Sequence, residues 1–303
     1  MHVKSLKVFC DVVGKRSFSR AADENGISQS GASQMVHQLE DHLGVKLIDR
    51  SKRPFVLTPE GEVYYNGCRQ LVQRLFTLDE NVRTMRQQVA GRVSVACIYS
   101  VGLGHINEVV QTFLGEHSSS NVRVEYQHPD RVYELVQNDQ VDFGIVSYPK
   151  QKRDIQVTAW REEPMGLVCS PRHPLAARSS VSWESLDGMR MVSFDDNLMI
   201  RRQIDRALVE AGSHVEVAME FDNIETIKRA IEIDLGVSVL PIFTVRNEVE
   251  SGRLAAIPME DDFRRPVGII RRRGKELGRT ALRFMQTLLE QANQPINGEC
   301  SEL

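Results

Sequence analysis

The chain has 303 residues, 41% of them hydrophobic and 26% charged, enough for two or more globular domains with their own cores. No apolar run approaches the roughly 18 residues that a membrane span needs. Lys4, Asp11, Lys15 and Arg16 interrupt the N-terminal apolar stretch, which argues against a secretory leader and leads us to expect a cytoplasmic protein. Charge is uneven: residues 1–90 carry thirteen Lys and Arg against ten Asp and Glu, and the remainder carries twenty-five against thirty-one. A mildly basic head on an acidic body suits a nucleic-acid binder. Cys10, Cys68, Cys97, Cys169 and Cys300 are scattered and form no CxxC pair, so neither a disulfide framework nor a zinc site is expected. Four lie among apolar residues and read as buried, inert thiols.

From the N-terminus, Leu6, Phe9, Val12 and Val13 form one apolar helix face, expected to stop at Gly14. Ser17 is an N-cap residue for a second helix, which Asn25-Gly26 closes with Ile27 folding back on it. Ser28 caps a third helix running to about Leu43, with Ala32, Val36, Leu39 and Leu43 on its apolar side and Gly44 at its end. Two helices joined by a short glycine turn make a helix-turn-helix. The other face of the third helix carries Gln29, Ser30, Ser33, Gln34 and His37. Gln pairs with adenine and Ser bonds bases or phosphates, so Ser28, Gln29, Ser30, Ser33, Gln34 and His37 are the candidate DNA readers. Residues 46–57 fit a short β-hairpin, or wing, whose tip residues Arg50, Lys52 and Arg53 would touch phosphates.

Ala21-Ala22, Ser28-Gln29, Ser33, Leu39-Glu40, Leu43-Gly44-Val45, Leu47, Arg50 and Leu57-Thr58-Pro59-Glu60-Gly61 follow one another in a fixed order. In these residues the segment 18–62 resembles the LysR family of bacterial transcriptional regulators. Departures are small: Ser30-Gly31 where the family often has Pro-Ala, and Ile48 where Phe is usual. Gly31 weakens the recognition helix by up to about 1 kcal/mol relative to Ala.

Thr58 and Pro59 suit the start of a long helix. Tyr64, Cys68, Leu71, Leu75, Leu78, Val82, Met85 and Val89 then recur with alternating spacings of four and three, a heptad seam. A lone helix has nowhere to bury such a seam, so this segment is expected to make a homodimer. The resemblance implies the same linker-helix dimer, and often a homotetramer.

After Gly91, apolar strand-like runs at 93–98, 122–126, 141–146, 165–170, 190–194, 215–221, 236–240 and 267–271 alternate with helical stretches. The helical ones run to about 115, through 135–136, and over 199–212, 223–233 and 277–292. This order predicts α/β units with largely parallel sheets. Asp142–Val146, His173-Pro174-Leu175-Ala176, Leu235-Gly236-Val237 and Leu240-Pro241 add family-like marks. The resemblance implies an N-terminal winged helix-turn-helix (1–60), a linker helix (61–90) and a two-lobed α/β effector domain (91–293) resembling periplasmic solute-binding proteins. Lobe one would hold 91–160 and 266–293, lobe two 161–265, with a disordered tail at 294–303.

Open α/β sheets bind ligands at strand C-terminal ends. That selects Tyr99, Ser100, Val101, Ser147, Tyr148, Phe194, Asn197, Met199 and Asn223 as effector-binding candidates, and the resemblance places the family's cleft at the same turns. The set holds few fixed positive charges, though Arg201 and Arg202 start a helix nearby. No cofactor or metal is expected, and the effector stays unnamed. Expected partners are double-stranded DNA, a second copy of the chain, a small molecule and, through regulation, RNA polymerase.

Other signals are set aside. Asp142-Phe143-Gly144 lacks the companions of a kinase site. Gly102-x-Gly104-x-x-Asn107 only outlines a dinucleotide fingerprint, and its glycines are expected instead to shape a turn exposing Ser100. His128 and His173, each before a proline, read as exposed loop residues. No GxSxG elbow or HExxH is present, which argues against an enzyme. An architectural DNA binder with a ligand-free cleft and an α/β enzyme localised by its head remain as alternatives.

Overall fold

The structure, a computed structural model, describes residues 2–84, 91–102 and 105–292, with side chains of the long helix described as far as Asp79. It divides into two compact units, Met1–Gln88 and Val89–Leu303. Met85 and Val89 of the seam, Gly104, Cys300 and the segment 294–303 lie outside the described residues, as does the side chain of Val82.

In the first unit, α1 (Val3–Lys15) continues through Gly14, and Arg16 ends it in the left-handed conformation at φ 49°. A helix tolerates an interior glycine at about 1 kcal/mol, so Gly14 alone does not stop it. α2 (Phe18–Glu24) begins where Ser17 Oγ accepts the Arg20 N–H at 3.3 Å. It closes with Gly26 at φ 60° and the Ile27 N–H bonded to the Ala22 carbonyl. α3 (Gln29–Leu43) is capped by Ser28, whose Oγ accepts the Gly31 N–H at 3.1 Å, and stops at left-handed Gly44. Ala32, Val36 and Leu39 bury against Phe9, Val12 and Ala21, whereas Leu43 on the last turn is exposed. β1 (Ile48–Asp49) and β2 (Val56–Leu57) pair antiparallel as the wing.

α4 (Pro59–Thr84) starts at Thr58, whose Oγ1 accepts the Gly61 N–H at 2.9 Å and donates to the Lys46 carbonyl at 2.7 Å. Its 26 residues span about 39 Å. The heptad seam splits along it. Tyr64 and Cys68 join Val72 in the core of the head, while Leu71, Leu75 and Leu78 are 62%, 37% and 54% exposed.

In the second unit, β3 (Arg92–Cys97), α5 (Tyr99–Gly102), α6 (His105–Glu116), β4 (Asn121–Tyr126), α7 (Pro129–Gln137) and β5 (Phe143–Ser147) build lobe one. β6 (Ile155–Cys169) leaves it. Lobe two holds β7 (Arg190–Phe194), α8 (Met199–Glu210), β8 (Glu216–Phe221), α9 (Ile224–Glu232), β9 (Ser238–Pro241), α10 (Arg246–Glu250) and β10 (Ala255–Pro258). β11 (Arg264–Arg272) returns, and α11 (Arg279–Ala292) packs on lobe one, where the Leu288 carbonyl accepts the Trp160 indole N–H at 2.7 Å. Each lobe has its own core, one around Phe113, Phe143 and Phe284, the other around Leu167, Leu186 and Met191.

The sheets are mixed rather than largely parallel. β3 pairs parallel with β4 and β5, and β7 with β8, but β6, β11, β10 and β9 pair antiparallel. The cause is the crossover: β6 and β11 carry the chain out and back side by side, so they must run in opposite directions. Only the apolar 165–170 end of β6 reads as a strand in sequence, because Arg161, Glu162 and Glu163 break the apolar pattern of the rest. The two strands shift register between Val267 and Gly268.

Gly61 has no room for a side chain, since a Cβ there would overlap the Leu47 carbonyl oxygen, a backbone group that already accepts the Thr58 N–H. Gly61→Ala is expected to destabilise the head by about 1–3 kcal/mol. Gly67→Ala, on the same helix with open space around it, is expected to be neutral or stabilising by up to about 1 kcal/mol. Urea unfolding of both variants checks the contrast.

Candidate DNA interface and effector cleft

On α3 the buried and polar faces separate cleanly. Gln29, Ser30, Gln34 and His37 are exposed and Ser33 half-buried, while Ser28 is engaged in capping and in a 3.0 Å contact with the Ser30 hydroxyl. Lys52 and Arg53 are exposed at the wing tip. Arg50 is not with them. Its guanidinium folds back onto α3, with Nη1 2.9 Å from His37 Nε2 and 3.4 Å from Ser33 Oγ, and packs over the Phe18 ring. A guanidinium only donates, so His37 Nε2 accepts, and the imidazole proton lies on Nδ1, 3.6 Å from Glu40 Oε2.

Glu40 organises this junction. It is 2% exposed, and its Oε1 accepts the N–H groups of Leu47 and Ile48 at 2.9 and 3.2 Å, tying the wing to the helix. Its Oε2 gathers Lys46 and Arg50 at 3.6 and 3.5 Å. In sequence it is one acid on a helix surface, distinguished only by the resemblance.

In the second unit, a cavity of about 380 Å³ lies between the lobes. Tyr99, Ser100, Ser147, Tyr148, Phe194, Asn197 and Met199 line it, as the strand-end argument expects. Val101 and Asn223 do not. Val101 turns into the lobe-one core, and Asn223 spends its carbonyl oxygen capping α9 through the Glu225 N–H at 2.9 Å. Ser100 is buried rather than exposed. Gly102 is needed because a Cβ there would overlap the Tyr126 ring.

Beyond that set, Lys150, Lys152, Arg202 and Arg265 also line the cavity, Arg202 being one of the two arginines at the helix start noted in the sequence, and Asp130 and Asp222 line it with them. Arg201 faces away from it, bonding Asp205 at 2.8 Å, the Phe194 carbonyl and Glu220. His128 is half-buried, caps α7 and lines the cavity too. His173 caps the short turn 174–177.

Arg265 is the least predictable of these residues. It is 2% exposed and pairs with fully buried Glu163, its cross-strand partner, through both Nε at 2.8 Å and Nη2. Its Nη1 donates to Ser100 Oγ at 2.9 Å. On the far side, Arg161 Nη1 donates to His105 Nδ1 at 2.6 Å, which leaves the other imidazole nitrogen facing Glu163 Oε1 at 3.4 Å. Burial pushes the Glu163 carboxyl up, but the Arg265 guanidinium and His105 outweigh it and hold the group below the ordinary value.

Tyr148 follows β5 in the left-handed region at φ 47°, held by its N–H to the Pro266 carbonyl at 2.8 Å. Its buried hydroxyl has no hydrogen-bond partner among the described residues. Burial first, then Glu163, push its titration up to about 12 against the opposing Arg265 charge, so the hydroxyl keeps its proton. The thiols of Cys10 and Cys97 are likewise pushed up to about 12 by burial, which keeps them unreactive.

Residues 3–62 match the family model described as the bacterial regulatory helix-turn-helix protein of the lysR family, and residues 86–293 match the LysR substrate binding domain. The chain belongs to the LysR family of transcriptional regulators. This LysR-family chain is 27% identical over 295 residues to the RuBisCO operon transcriptional regulator of Allochromatium vinosum, covering 96% of this chain and 97% of that one. Its fold matches a full-length OxyR variant from Pseudomonas aeruginosa with a TM-score of 0.73 at 24% identity, covering 96% and 94% of the two chains. Full-length CbnR, solved with its target DNA, gives 0.67 at 16% identity, covering 96% and 100%.

Glu163→Gln would leave the Arg265 charge uncompensated and is expected to lower stability by about 3–5 kcal/mol near neutral pH. An unfolded glutamate titrates near 4.5 and the folded one lower, so the pair's contribution is complete above pH 4.5 and lost as pH falls through the folded value. Denaturant unfolding across that range should show the gap between wild type and Glu163→Gln narrowing only on the acid side.

Proposed function

We propose that the regulator reads a duplex with the exposed face of α3, dimerises through α4 and senses a small molecule in the cleft between its lobes. The observation that carries this reading is the two-faced character of α3. Ala32, Val36 and Leu39 hold it in the core while Gln29, Ser30, Gln34 and His37 stay uncovered. Amide and hydroxyl groups on a capped helix beside a basic wing match base edges and phosphates. Arg50, fixed on α3 beside Ser33 and His37, joins the reading surface, while Lys52 and Arg53 supply salt-dependent phosphate contact. The CbnR likeness, with its target DNA in the crystal, supports the same use of the shared fold.

Leu71, Leu75 and Leu78 give the dimer its apolar stripe, with a tetramer as a pair of such dimers. Two heads then occupy two half-sites. The site of action is the chromosome in the cytoplasm, where the bound regulator can meet RNA polymerase. An effector acts only by binding one arrangement of the assembly better than another.

Replacing Gln29 and Ser33 together with Ala is expected to abolish sequence-specific retardation of the promoter beside the regulator's own gene, each residue contributing roughly 1–3 kcal/mol of discrimination. Circular dichroism should be unchanged, and weak salt-sensitive binding should remain. Undiminished specific binding would sink the assignment of α3. Leu71→Glu with Leu75→Glu should convert the dimer to monomer in sedimentation velocity; a dimer that survives places the interface elsewhere.

A further inference from the structure

Past residue 90 the chain is acidic, with twenty-five Lys and Arg against thirty-one Asp and Glu, yet two joined turns of lobe one are strongly basic. The loop after β5 closes where Lys152 bridges to Ile155, and Ile155 pairs with Arg272 at the end of β11. The Arg273 N–H donates to the Asp154 carbonyl at 2.7 Å, and Arg273 Nε donates to the Arg153 carbonyl at 3.1 Å. Arg271 lies two residues earlier on β11. Lys150, Lys152, Arg153 and Arg273 are exposed and Arg271 is half-buried. None of the five makes an ion pair among the described residues; Lys152 rests over the Tyr133 ring, 4.4 Å from its centroid.

The acids nearby are already engaged. Asp154 Oδ2 accepts from Gln137 Nε2 at 2.9 Å, Asp139 is held by Lys275 at 2.7 Å with Arg272 at 3.9 Å, and Glu134 pairs with Arg131 at 2.7 Å. Gathered cations repel one another, and an anionic partner relieves that repulsion. The surface also lacks an apolar anchor. Among the described residues, no large hydrophobic side chain is exposed between positions 127 and 208 or between 234 and 281. A protein partner is gripped by aromatic and aliphatic side chains that bury at the centre of the contact. A phosphate backbone is gripped by positive charge and needs no such centre. Guanidinium groups match phosphate oxygens with paired N–H donors. Lys150 and Lys152 also line the cavity between the lobes, but Arg153, Arg271 and Arg273 do not, so their charge is spent elsewhere.

We propose that the turns carrying Arg153, Arg271 and Arg273 are a second DNA contact, which holds the phosphate backbone of the duplex that the head reads and adds affinity without sequence choice. This rests on the reading of α3 as the DNA reader and is independent of what the cleft binds. Residues 1–90 carry only thirteen Lys and Arg against ten Asp and Glu, so a head of such modest charge gains from cations placed outside it. Arg273 is tied to the neighbouring turn through both its backbone and its side chain, which removes part of the cost of ordering it on a duplex.

The test follows binding of the full-length protein to a fragment of its own promoter by fluorescence anisotropy, from about 50 to about 200 mM salt. Each phosphate contact contributes about 0.9 to the slope of log affinity against log salt, so Arg153→Gln with Arg271→Gln and Arg273→Gln should flatten it by up to about 2.7 per protomer. The preference for the promoter over a scrambled duplex should stay as in wild type, and so should the melting temperature. The corresponding triple Lys variant should keep the wild-type slope, because a point charge still displaces counterions. Arg172→Gln with Arg178→Gln, which removes two exposed lobe-two arginines without ion pairs among the described residues, should leave the slope unchanged. A wild-type slope in the Gln triple, or an equal loss per charge in the Arg172 and Arg178 control, overturns the contact. Unchanged promoter affinity with lowered transcription by added RNA polymerase gives the patch to a protein surface and overturns it as well. The reading of α3 has its own readout: a wild-type protein that does not prefer its promoter over the scrambled duplex removes that reading, while the slopes still decide the patch.

Discussion

The effector unit is organised around a charge pair that water does not reach. Glu163 and Arg265 face each other across the two strands that carry the chain from one lobe to the other and back. Burying two charges costs several kcal/mol apiece unless geometry and further hydrogen bonds repay it. Here the repayment comes from three directions: a guanidinium bonded through two nitrogens, an imidazole aligned by Arg161, and a serine hydroxyl at the cavity wall. Because each partner is uncompensated without the other, any pairing of β6 on β11 that separates them is penalised. A slip of one residue would turn one of the two charges to the other face of the sheet and leave its partner uncompensated.

The head solves a different problem with the same device. Its wing strands are two residues each, too short to stand by themselves. Glu40 supplies what they lack, bonding two backbone N–H groups of the wing from within α3 and drawing Lys46 and Arg50 toward the helix. Wing and α3 are thereby tied together, and the Arg50 guanidinium is held beside Ser33 and His37 by contacts within the head itself. Ordering a long side chain in advance removes an entropic penalty from binding.

What could be read from the sequence was what is local. Ser17, Ser28 and Thr58 act as caps, and Gly26 and Gly44 as stops, because each needs only its neighbours within four residues. The strand ends at Tyr99, Ser147 and Phe194 were legible for the same reason. Non-local pairings were not. Glu163 and Arg265 are 102 residues apart, and in a linear reading Glu163 is a charge that spoils a strand pattern. The heptad count could not tell that Cys68 belongs to the head while Leu71 and Leu75 remain uncovered, since both uses demand the same apolar spacing. Asn223 misled because a cap residue and a ligand-binding amide look alike at a helix start.

The position of Ser100 connects the buried pair to the cavity between the lobes. Its oxygen accepts from Arg265 and the residue lines the cavity, so the buried pair reaches the cavity wall through one hydrogen bond. Arg265 belongs to β11, Tyr148 is hydrogen-bonded to the strand at Pro266, and the register shift follows at Val267 and Gly268. Gly268 permits that irregularity, as a Cβ there would lie 2.8 Å from Pro149. A ligand touching Ser100 and Tyr148 therefore acts on the segment where the crossover departs from regular pairing. Such contact shifts the arrangement of the lobes only to the extent that its strength differs between them.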